Sequence, residues 1–127
     1  MKTIQFLIIL YLSISCNNET KDPCQFNGCN SQRQTIKVAS NAKGRISTLS
    51  QQYPDLWVIV SEEGIIGEES ITFDGPDIII VCNINDSLKV LGQKVIFSGE
   101  LKDSCNDFEK GVSEIYYCTP KQILLSN

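Results

Sequence analysis

The run Asp77-Ile78-Ile79-Ile80-Val81-Cys82-Asn83-Ile84, followed by Asn85-Asp86-Ser87-Leu88-Lys89-Val90-Leu91-Gly92 and then Gln93-Lys94-Val95-Ile96-Phe97-Ser98-Gly99-Glu100-Leu101, decides the fold. Ile78 to Cys82 is apolar at every position, as a central strand covered on both faces requires. From Lys94 the pattern changes to alternation. Val95, Phe97, Gly99 and Leu101 fall on one side, with Lys94, Ser98, Glu100 and Lys102 on the other, broken only by Ile96. That is a half-buried strand, and its interior Gly99 marks a bulge or tight bend. Between the two runs, Asp86 or Ser87 can cap a turn or two of helix that Gly92 ends.

The rest of the chain repeats the strand signal. Ile36 to Ala39, Arg45 to Leu49, Leu56 to Ser61, Ser70 to Phe73 and Glu114 to Thr119 are rich in β-branched, aromatic and other apolar residues, with Gly, Pro, Asn and Asp between them. Five or six curved strands with a short helix after the third form an OB-like barrel. An eight-stranded sandwich needs more strand than roughly 90 residues comfortably supply. The expectation is an all-β domain over residues 35–127, a small OB-like barrel of five to six strands with one short helix.

Upstream of Thr35 the character is different. Residues 17–34 contain one large apolar side chain, Phe26, too little to offset the entropy of ordering. Residues 16–34 are therefore expected to form a flexible tether, closed locally by Cys24 and Cys29. Before it, Lys2, the apolar run Ile4 to Ile14 and the small Ser13 and Ser15 make a secretory signal over residues 1–15. That run falls short of the roughly twenty apolar residues that span a bilayer. Cys16 follows directly and begins a polar stretch, in the manner of a lipobox whose Cys is acylated, although Ser13 stands where Leu is usual. Ordinary signal peptidase cleavage, or an uncleaved anchor, would leave Cys16 unmodified. Acylation at Cys16 would hold the domain at a membrane, because stable anchoring takes more than one acyl chain and such a Cys carries several.

The segments Asp55-Leu56-Trp57-Val58-Ile59, Ile80-Val81-Cys82-Asn83-Ile84 and Gly92-Gln93-Lys94-Val95-Ile96-Phe97-Ser98-Gly99-Glu100-Leu101 resemble a pattern in small cell-envelope lipoproteins of the Bacteroidetes type. The resemblance spans residues 44–119. It implies an OB-like barrel and an envelope location, lipid-anchored and facing the periplasm or the cell surface, and it carries over no catalytic residue.

Removal of residues 1–15 leaves 112 residues, one domain rather than two, with ten basic against 15 acidic side chains and a net charge of −5. That sign argues against a nucleic-acid partner and against attachment to anionic lipid by charge. If Cys16 is acylated, five thiols remain in an oxidising compartment and one is left over. If it is not, six cysteines allow fifteen connectivities. A Cys105–Cys118 bridge would staple the last hairpin, and Cys82, in phase with Ile78 and Ile80, is the alternative partner for either.

The chain has no His, which removes the commonest general base and metal ligand together with Ser-His-Asp and Cys-His arrangements. No catalytic residue, cofactor or metal site is assigned. Glu62, Glu63, Glu68, Glu69, Asp74 and Asp77 could in principle hold Ca²⁺, but their spacing is not that of an EF-hand loop, and solvated charge beside a turn accounts for them. Tyr53 and Trp57 flank Pro54-Asp55 and form the candidate ligand face. Alternation sends Tyr116 and Tyr117 to opposite faces, one of them into the core. The functional expectation is a non-catalytic, lipid-anchored binding or structural module whose partners are the membrane and a protein or glycan. Its alternatives are an inhibitor of a hydrolase such as lysozyme or a protease, and a small oligosaccharide-binding module.

Overall fold

The structure, a computed structural model, describes residues 22–62, 76–109, 111 and 113–127. Six strands are present among them: β1 Thr35–Ser50, β2 Tyr53–Ser61, β3 Ile78–Val81, β4 Lys94–Asp103, β5 Ile115–Cys118 and β6 Gln122–Leu125. They order as β1-β2-β3-β5-β4-β6, and an additional β1–β4 pairing closes a ring through the first five. All neighbours are antiparallel except β3 and β5. The fold is all-β and OB-like. It is not a clean barrel, because β4 gives Val95–Ser98 to β6 and Lys102–Asp103 to β5.

The first two expected strands are one. β1 pairs with β4 from Thr35 to Arg45 and with β2 from Gly44 to Ser50, so a single long strand turns the corner of the ring. The corner is a register shift between Ala39 and Ala42, where Asn41 adopts φ 49°, a left-handed conformation that Asn tolerates better than most residues. Gly99 sits opposite Ala39. A Cβ there would lie 2.8 Å from Cys118 Sγ and 3.2 Å from Pro120 Cα, so the missing side chain lets the β5–β6 crossing pass close over β4. The predicted strand Ser70 to Phe73 lies outside the described residues.

The ring interior holds Ala39, Ile46, Ile59, Ile79, Val81, Val95, Phe97, Leu101, Tyr116 and Cys118. Val95, Phe97 and Leu101 are the inward alternation of β4 foreseen in the sequence, and Tyr116 is the buried member of its pair. On the reverse face, Val58, Ile80 and Tyr117 form a cross-strand row. This explains why β3 is apolar throughout. The expected helix is shorter than predicted, a single 3-10 turn at Asp86–Leu88 capped by the Asn85 side chain, which accepts from the Ser87 amide. Gly92 donates its amide to Ile46 O at φ 80°, returning the chain to the sheet before a second turn can form.

The segment before β1 departs most from expectation. Residues 22–34, expected as part of a free tether, are fastened to the ring by Cys24–Cys105 and Cys29–Cys82 bridges. Gly28 packs face-on against the Tyr117 ring, leaving no room for a side chain. The Cys105–Cys118 and Cys24–Cys29 pairings are corrected. β4 and β5 pair Lys102 with Tyr117 and Asp103 with Tyr116, so beyond Asp103 the chain runs toward Glu114 and away from Cys118. Cys118 points into the ring as a buried free thiol, and Cys82, on the opposite face, meets Cys29.

Candidate functional site

The turn between β1 and β2 and the connection between β4 and β5 rise at the same side of the ring and enclose a groove of about 650 Å³. Leu49 and Tyr53 form its β1–β2 wall, Ile78 and Ile115 its floor, and Phe108 its far wall. Tyr53 meets Phe108 edge-on, with ring centroids 5.9 Å apart, and Phe108 leans on Tyr117 at 6.1 Å. Edge-to-face packing suits the aromatic quadrupole. Tyr53 remains 40% exposed.

Trp57, the other half of the expected ligand face, is not in this groove. It is half-buried and packs against the core cluster. The separation arises at the β2 start, where Thr48 pairs with Trp57 but Ser50 pairs with Tyr53, so strand alternation does not carry through Pro54. Phe108, Ile78 and Ile115 complete the groove; the sequence marked Ile78 and Ile115 as strand residues and none of the three as part of a ligand face. Phe108 had one available signal, a large aromatic isolated in a polar connection of an OB-like ring, where ligand loops occur.

The support beneath Phe108 is fastened at several points. Arg33, 3% exposed, donates from Nε to Phe26 O, from one terminal nitrogen to Asp103 O and from the other to Asp107 Oδ2 at 3.0 Å. The same carboxylate oxygen accepts from the Tyr117 hydroxyl at 3.0 Å. Burial, with the Asp107 bond and charge adding to it, pushes the Tyr117 phenol up to about 12. Cys105 holds the start of the connection through its bridge to Cys24, at a left-handed φ of 53°. Phe108 thus stands on a clamped loop.

A second cluster joins β1, β3 and β5. The Lys37 ammonium lies 5.4 Å from the centre of the Tyr116 ring and 4.0 Å from Asp77 Oδ2. Burial works to lower the Lys37 pKa, but the Tyr116 hydroxyl, Asp77 and Glu114 together hold it above the ordinary value. Burial raises Tyr116, against the pull of Lys37. Lys37 therefore stays cationic and Tyr116 neutral at neutral pH, so neither accepts a proton there.

Cys16, Glu63, Glu68, Glu69 and Asp74 lie outside the described residues. Of the remaining acidic cluster, Glu62 pairs with Arg45 and Asp77 with Lys37, so these two carboxylates do not converge on a common point. Cys24, Asp103 and Cys105 come together, but both sulfurs are in the bridge and Asp103 Oδ1 accepts the Cys105 amide. Compared with protein-family models and with curated proteins, the sequence matches none.

Proposed function

We propose that this chain is a non-catalytic binding module of the bacterial cell envelope, anchored through acylated Cys16 and engaging a protein or glycan partner through the Tyr53–Phe108 groove. The observation that carries the reading is the groove itself, with an exposed Tyr53 and a half-buried Phe108 as walls on a support fixed by a disulfide and a buried arginine. Two disulfides support an oxidising compartment, and the signal and lipobox-like pattern at Cys16 support the anchor. The resemblance to Bacteroidetes-type envelope lipoproteins agrees with that location. Cys16→Ala is expected to move the protein from the membrane fraction to the soluble fraction with its circular dichroism unchanged. Continued sedimentation with membranes contradicts the anchor.

The clamped connection around Phe108 favours one narrower version, an inhibitor that inserts a rigid loop into a hydrolase. Loss of lysozyme activity on mixing, abolished by Phe108→Ala, supports that version. The glycan version is supported instead by calorimetric binding of a chito-oligosaccharide with the same sensitivity. Binding of neither probe removes both narrower versions and leaves the anchored module.

A further inference from the structure

We propose that the free edge of β6 pairs with β6 of a second copy of this chain, antiparallel across a two-fold axis at Leu124. β6 ends the strand order and pairs with β4; among the described residues no strand and no backbone hydrogen bond occupies its other edge. Ser126 donates its amide to Lys94 O, and Leu125 stands opposite Val95. Bonded positions alternate along an antiparallel pair, so Gln122, Leu124 and Ser126 turn their N–H and C=O groups toward β4, whereas Ile123 and Leu125 turn theirs outward. Those outward groups call for an extended strand. Exposed edges are normally guarded by charge or proline, and Gln122–Leu125 carries neither.

The strand matches itself. With Leu124 opposite its own copy, Ile123 of each chain meets Leu125 of the other, and each such pair exchanges both backbone bonds, so the outward groups of the strand are satisfied. The axis stands perpendicular to the sheet, and each face of one copy continues the same face of the other. On the outer face, Leu124 is 50% exposed and lies beside Ile96, the half-buried residue that breaks the alternation of β4. Pairing joins Ile96 and Leu124 of both copies into one apolar row. On the inner face, Leu125 is 63% exposed although Val95 beside it is buried, and Ile123 of the second copy covers it. Gln122 meets Ser126, polar against polar. Neighbouring registers in the same phase are poorer, because they set Leu125 against Lys121 or Ile123 against Asn127. A charged foreign peptide finds no counter-charge within Gln122–Leu125, whereas a second copy brings no like charges into contact there.

The test places a cysteine on the axis of the full chain. Leu124→Cys is expected to give a disulfide-linked dimer on oxidation with copper phenanthroline, since the paired Cα atoms would stand about 4.5 Å apart, within reach of a disulfide. Val90→Cys, at a side chain 52% exposed outside β6, is expected to stay monomeric. Sedimentation equilibrium of the Cys16→Ala form should show a dimer that Leu125→Pro abolishes, because the Leu125 amide faces outward and a proline there blocks the edge without removing a bond to β4. If Leu125→Pro fails to fold, Leu124→Lys serves in its place, setting like charges across the axis. Equal cross-linking of Leu124→Cys and Val90→Cys, or none at Leu124→Cys, overturns the proposal. A dimer that survives the edge variants lies on another surface and overturns it too. Binding of an extended Val-Thr peptide by a monomer, with slowed hydrogen exchange at Ile123 and Leu125, assigns the edge to a foreign strand; slow exchange there in the unliganded monomer assigns it to the chain itself, and both results overturn the proposal.

Discussion

Arg33 shows how one residue can order a segment that its neighbours leave underdetermined. Its guanidinium is buried and satisfies Phe26 O, Asp103 O and the Asp107 carboxylate, tying the N-terminal segment to the end of β4 and the groove support. Arg33→Ala strands those acceptors, and urea unfolding is expected to show a loss of about 3 kcal/mol. Arg33→Lys should not restore it, since an ammonium cannot reach acceptors arranged for a planar fork. Wild-type stability in Arg33→Ala would contradict the clamp. Cys118 carries the other residue-scale expectation. Burial, and then the charge of Glu100, pushes its thiol up to about 11, so iodoacetamide at pH 8 should leave Cys118 unmodified in the native protein and label it after denaturation. Labelling of the native protein would contradict the buried position.

At the scale of elements, the strands were legible wherever burial wrote a period into the sequence. The run Ile78 to Cys82 announced a strand covered on both faces, and the alternation from Val95 to Leu101 announced the inward face of β4. β6 was not legible, because Ile123-Leu124-Leu125 is too short to show alternation and two of its residues remain exposed. The attachment of residues 22–34 to the ring was not legible either. Residues 22–34 are polar and bury little surface, and what orders them is covalent, two bridges linking residues 81 and 53 positions apart. Sequence spacing cannot reveal such long-range pairs. By chain entropy alone each bridge contributes about 4 kcal/mol, less than additively because the two loops overlap. Reduction is therefore expected to speed hydrogen exchange across residues 22–34 before β4 and to lower the denaturation midpoint. A single unchanged transition would contradict that order of loosening. Gly99→Ala, pressed against Cys118 and the β5–β6 crossing, is expected to cost about 1–3 kcal/mol in chemical denaturation.

At the scale of the whole molecule, two titrations set an alkaline limit. Tyr117 and Cys118 both hold their protons to higher pH when folded, at about 12 and about 11 against ordinary values of 10.0 and 9.0. A raised folded pKa stabilises fully below the unfolded value, and the contribution is lost as pH climbs through the folded one. Stability to urea is therefore expected to fall between pH 9 and 12, and a flat profile there would contradict the burial of both groups. Tyr53 stood out in the sequence and lines the groove, but Phe108 and the groove floor come from separate strands and loops and needed the ring to bring them together. The account as a whole depends on where the molecule hangs. Intact mass of the membrane-extracted protein, before and after alkylation, tests this most directly. The expected species begins at Cys16 with acyl mass attached, contains two disulfides and gains one alkyl group only after unfolding. A chain that starts elsewhere, or that starts at Cys16 without acyl mass, would contradict the account.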